Sequence, residues 1–166
     1  KMKNVLYIEP RDQDLQYHYY TLIGKSLRMQ DNIKLTIGNR LSQYKLNLFD
    51  IIILGYGACS MNNFTWHSNL LNTTTPVVAF LFKLSNNKEK KMEFLKNNNI
   101  IIFGQQTRIH EIEKEYNLTV NQTFYPFDSN VFKCLGIDKQ YDIGMTGALH
   151  DSQHYAPNAF LEEEKN

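Results

Sequence analysis

Two loops concentrate the residues that can do chemistry. In residues 9–18, Arg11 can hold a phosphate or a carboxylate, and Asp12 or His18 can take a proton from a hydroxyl. Each also has a purely local reading. Charged residues at a helix start usually serve the helix, which makes Asp12 a cap, Arg11 a solvated cation and His18 a surface side chain. In residues 55–60, Gly55 and Gly57 follow an apolar run and let a ligand approach the backbone, and Tyr56 between them can stack on a sugar ring.

Cys59 in the same loop raises the question of a nucleophile. A nucleophile elbow needs a second glycine two residues later, where this chain has Met61, and no His/Asp partner pattern accompanies it. Cys59 therefore reads as a small buried residue. His150 and His154 have the four-residue spacing of a metal-binding helix face, but Asp151, Ser152 and Gln153 between them and Pro157 after them predict a turn. Asp12-Gln13-Asp14 has the bare Asp-x-Asp spacing of a metal motif but is read here as the start of a helix, so neither a metal nor a cofactor is expected. His67 beside Trp66 stands alone, and Lys88, Lys90 and Lys91 read as a solvated helix face.

The elements that must position these loops follow from hydrophobic periodicity. Residues 4–8 (NVLYI) form a β-rich apolar run, and residues 33–37 (IKLTI) alternate as a strand nearer an edge does. Residues 50–54, 76–82 and 99–103 are nearly continuous apolar runs, as strands buried on both faces of a parallel sheet must be. Between them, Leu15, Tyr19, Leu22, Ile23 and Leu27 share a helix face ending near Arg28. A weaker helix runs through Trp66, Leu70 and Leu71. Asn86 and Glu89 form a capping-box variant before Met92 and Leu95. Thr107 caps a helix carrying Ile109, Ile112 and Tyr116, and residues 118–124 return to extended chain. Alternating strands and helices predict an α/β fold, a three-layer Rossmann-like domain with a mainly parallel sheet. Ligands in such sheets bind outside the carboxyl ends of the strands, where both loops lie.

At 166 residues the chain suits one domain, or a domain plus the start of another. The expected division is 1–137 for the Rossmann-like domain and 138–166 for a truncated second domain or tail. A net charge of +1 gives no reason to expect nucleic acid or an anionic membrane as partner. The apolar runs are too short for a transmembrane segment. Two cysteines and the lack of a signal-like N-terminus fit a reducing compartment, so the expected location is cytoplasmic. Residues 9–18 lack the glycines of a dinucleotide fingerprint, which argues against a dinucleotide-dependent dehydrogenase. Gly55 stands where a response-regulator receiver needs an aspartate.

Residues 124–150 carry the most specific signal. Pro126, Asp128 and Phe132 are followed by a short strand over 141–145, which runs directly into Thr146, Gly147 and Ala148. This stretch resembles the inter-domain crossing of GT-B-fold glycosyltransferases of the group-1 (CgeB-like) kind. Pro126, Asp128 and Phe132 approximate a Pro-x-x-Asp-x-x-x-Phe pattern, with one residue fewer between Pro126 and Asp128. Asp142, Ile143, Gly144 and Gly147 match the strand that opens the donor domain. The resemblance implies the N-terminal, acceptor-side domain of an enzyme that moves a sugar from a nucleotide-sugar donor to a carbohydrate or other hydroxyl acceptor. It also implies a base near His18 or Asp12, substrate contacts at Arg11, Gly55, Tyr56, Gly57, Gly147 and His150, and no activity in this chain alone. The competing expectations are a non-catalytic flavodoxin-like binding or interaction module and, more remotely, a hydrolase or amidotransferase using Cys59.

Overall fold

The computed structural model describes residues 1–10, 19–60, 73–81, 88–98, 100–104 and 109–123. The chain divides into two units, Lys1–Phe132 and Lys133–Asn166, and every described residue belongs to the first. In chain order, the strands are β1 (Lys3–Ile8), β2 (Ile33–Gly38), β3 (Ile51–Leu54), β4 (Val77–Leu81), β5 (Ile101–Gly104) and β6 (Val120–Gln122). The helices are α1 (Tyr19–Arg28), α2 (Tyr56–Ser60), α3 (Lys88–Asn97) and α4 (Ile109–Tyr116). Two single 3₁₀ turns, Leu41–Gln43 and Leu46–Leu48, precede β3 and bury Leu41 and Leu46.

The six strands form one sheet in the order β2-β1-β3-β4-β5-β6, with every neighbouring pair parallel. The expected α/β, Rossmann-like architecture is therefore present. Its first five strands follow the flavodoxin-like order, in which the chain moves outward from β1 in opposite directions.

Strand alternation divides the core in two. Leu6, Ile8, Ile52, Leu54, Ala79 and Ile102 face one side, where Ala58 and Cys59 of α2, Met92 and Leu95 of α3 and Ile112 of α4 cover them. Val5, Tyr7, Ile53 and Val78 face the other, where they meet Ile23 and Leu27 of α1. Neither face reaches water, which explains why the central strands read as unbroken apolar runs. Phe80 and Phe103 stack at 5.4 Å on the α1 side and extend that core across β4 and β5.

Helix α4 ends on Asn117 in the left-handed region (φ 50°), and Leu118 N–H closes the cap by donating to Glu113 O at 3.2 Å. Asparagine tolerates this conformation better than most residues, so the helix stops and β6 begins. Glu113 ties the two together, because its Oε1 accepts from Val120 N–H at 3.0 Å. At the start of β3, Asp50 Oδ2 accepts from Asn4 N–H at 2.7 Å and Oδ1 lies 3.7 Å from Lys3 Nζ.

These two carboxylates, Asp50 exposed and Glu113 half-buried, give the fold an acid-side pH dependence. Asn4 N–H chiefly, then the charge of Lys3, holds Asp50 below its ordinary pKa. Val120 N–H chiefly, then His110, does the same for Glu113. Lowered folded values mean that the unfolded chain binds more protons in acid. The stabilisation is complete above the ordinary carboxylate range of about 4 and is lost as pH falls through the folded values. The melting temperature should drop less steeply in acid for the Asp50→Asn, Glu113→Gln double variant than for the parent. Parallel profiles would mean that neither bond matters.

Candidate functional site

The strand order reverses between β1 and β3, and the register pairs Ile8 with Leu54 at their carboxyl ends. Glu9 and Gly55 therefore leave the sheet side by side, and Gly55 N–H donates back to Ile8 O at 2.9 Å. Here α/β sheets open a crevice between loops that diverge to opposite faces.

Glu9 is the residue that sequence reasoning passed over, reading it only as part of the break that follows the first strand. It is 2% exposed, and its Oε2 accepts a 2.8 Å hydrogen bond from Gly57 N–H. The carboxylate thus sits on the first turn of α2, where the unpaired amides and helix dipole favour negative charge. Gly55 is required beneath it. A Cβ there would lie 2.6 Å from Glu9 Oε2 and 2.7 Å from the Tyr7 hydroxyl. A buried carboxylate after an apolar strand and before a Gly-x-Gly turn was the only available signal.

Tyr56 is 1% exposed and sets its ring edge-on against Phe80 at 5.7 Å, with Gly55, Gly57 and Ala58 buried around it. Gly55, Tyr56 and Gly57 are thus held together with Glu9 at the switch point. A ligand touches the Tyr56 ring only where its present surroundings yield. Arg11, Asp12 and His18 lie outside the described residues, as do Gly147 and His150 and the histidines at 67 and 154. Arg11 and Asp12 follow the Glu9-Pro10 junction directly in sequence.

Burial governs the ionisable groups here. It pushes the Tyr7 hydroxyl far up, with the charge of Glu9 adding to it, so Tyr7 remains a neutral donor. Cys59 is pushed up to about 12, by burial first and by Glu9 second. Its thiol donates weakly to Leu54 O at 3.8 Å. A thiol this far from thiolate is no nucleophile at neutral pH. In a Cys134→Ser background, Cys59 should react with thiol reagents only as fast as the protein opens, and Cys59→Ala should keep any activity. Rapid labelling of the native fold would restore the nucleophile reading.

Lys91 requires a correction. The run Lys88, Lys90, Lys91 was read as a solvated helix face, and Lys90 is indeed exposed, but Lys91 is 1% exposed. It lies one turn before Leu95 on the inward face of α3, and burial lowers its pKa, with the neighbouring Cys59 opposing.

Of the described concavities, one of about 340 Å³ lies between α3 and α4, lined by Met92, Glu93, Lys96, Glu115 and Tyr116, and two lie at the opposite, amino end of the sheet. The first of these two, of about 350 Å³, lies between Leu95, Ile100, Ile102, Asn117 and Asn121; the second, of about 400 Å³, lies between Thr73, Thr75, Pro76, Val77 and Asn98. Their polar groups already bond within the chain. Thr75 donates to Leu46 O at 3.1 Å, Asn98 to Phe94 O at 2.8 Å and Asn121 to Ile102 O at 3.0 Å. These bonds occupy the side chains that could otherwise orient a ligand there. Among the described residues no group of three His, Cys, Asp or Glu side chains could hold a metal ion, and no helix is long and apolar enough to cross a membrane.

The chain matches no protein-family model, no curated protein and no solved structure.

Proposed function

We propose that this chain supplies the acceptor-side domain of a GT-B-type glycosyltransferase, which transfers a sugar from a nucleotide-sugar donor to an acceptor hydroxyl. The observation that carries the reading is the Glu9 carboxylate seated on Gly57 N–H at the β1/β3 switch point. It fills the amides that a phosphate would otherwise take, and its charge opposes a diphosphate nearby. Such a crevice favours an uncharged, hydroxyl-rich ligand. A nucleotide sugar would then need its main contacts elsewhere, as the resemblance of residues 141–147 to the opening of a donor domain implies. In this reading the catalytic base is His18 or Asp12, and Arg11 is a further substrate contact. Glu9 positions the loop and takes no proton.

The flavodoxin-like strand order and the burial of Tyr56 support a second reading, a non-catalytic binding or interaction module on the same scaffold. Titration calorimetry separates the two readings from a donor-binding domain. Nucleotide sugars should give no heat with this chain. Micromolar binding would place a complete donor site within it and end the acceptor-side proposal.

A further inference from the structure

The large apolar side chains exposed among the described residues all lie at the amino end of the sheet. They are Met2 (59% exposed), Met29 (78%), Leu48 (64%) and Ile101 (47%). Met2 directly precedes β1, and Met29 and Leu48 lie on the short segments that lead into β2 and β3, three consecutive strands in the sheet order. The backbone ties these starts together. Lys3 N–H donates to Asn32 O at 3.0 Å and Asp50 N–H to Asn4 O at 2.8 Å. Strands lie about 4.8 Å apart, so the three strand starts form a short row at the amino end of this sheet, and the three side chains lie on the segments leading into it.

The exposed charges around this row are mostly of one sign. Lys1, Lys3, Arg28, Lys34 and Lys45 are exposed here, against Asp31 and Asp50, and Asp50 already accepts from Asn4 N–H and faces Lys3. The chain as a whole carries only +1, so the near-neutral total conceals a cationic end.

We propose that this end of the domain docks on an anionic lipid bilayer, with Met29, Met2 and Leu48 entering the interface and the cations meeting the headgroups. The mixture of chemistries selects this partner. Basic side chains flanking a few exposed apolar ones are how proteins that lie on a bilayer, without spanning it, bind. A symmetric contact between two copies would set this cationic patch against itself. Protein interface cores are depleted in lysine, whereas lysine dominates the charge here. The carboxyl-end switch point lies at the opposite end of the strands from this face. The proposal rests on the surface alone and holds or fails independently of the sugar-transfer reading.

Co-sedimentation of the full chain with vesicles tests it. The chain should pellet with phosphatidylserine-containing vesicles, stay in solution with pure phosphatidylcholine and be released at high salt. Each of Lys34→Gln and Lys45→Gln should weaken partitioning about fivefold, the effect of one basic residue near an anionic surface. Met29→Ser with Leu48→Ser should weaken it too, with thermal melts unchanged for all variants. Failure to pellet, equal pelleting on both lipids, or parental binding by the lysine variants would overturn the proposal. So would lipid-free self-association abolished by Met29→Ser and Leu48→Ser, which would assign the face to a second copy.

Discussion

Gly55→Ala should be among the most damaging single-methyl additions in this protein. The new Cβ would meet Glu9 Oε2 and the Tyr7 hydroxyl at contact distances that real Cβ atoms do not sustain. Overpacking of this kind typically costs about 1–3 kcal/mol. If the carboxylate moves off Gly57 N–H to make room, a buried donor loses its partner, a further cost of about 1–3 kcal/mol. Urea denaturation should show the loss as a lower midpoint. Glu9→Gln is the informative companion. It keeps the volume and an acceptor for Gly57 N–H, so it should cost less than Glu9→Ala. A Gly55→Ala midpoint equal to that of the parent would show that the switch point is not packed as described.

The second large effect is catalytic. In a protein carrying both the acceptor-side and donor domains, His18→Ala or Asp12→Ala should cut kcat by about 10²–10⁴-fold, the usual cost of removing a general base, while leaving donor affinity nearly unchanged. Glu9→Gln should behave differently. A positioning residue alters loop geometry and acceptor KM without abolishing the pH dependence that a base imposes. Normal turnover in both the His18 and Asp12 variants would place the base elsewhere.

The strands were legible because burial on both faces leaves a strong mark. Ile51, Ile52, Ile53 and Leu54 cannot be a half-exposed strand, and β3 is central in the sheet. Residues 33–37 alternate, and β2 is the outermost strand on its side. The ends of two helices, at Arg28 and Tyr116, were legible because the apolar periodicity stops there. Strand order was not, because the choice of which side of β1 receives β3 is made by crossover packing, which periodicity does not encode. Glu9 was missed for a related reason. A carboxylate after a strand resembles any loop residue until the fold brings it to Gly57, 48 residues away. Lys91 was misread although its spacing to Leu95 was visible, because a run of lysines was weighed by composition before its phase was checked.

Chemical-shift mapping of the backbone amides tests the central claim most directly, namely that the functional centre is the carboxyl-end switch point and that it takes uncharged hydroxyl ligands. Titrating the labelled chain with a panel of neutral oligosaccharides should move Gly55, Gly57 and residues 9–18, and a nucleotide diphosphate should leave them in place. Shifts confined to the amino end, around Thr75 and Ile101, or a response to the diphosphate at Gly57 would contradict the account.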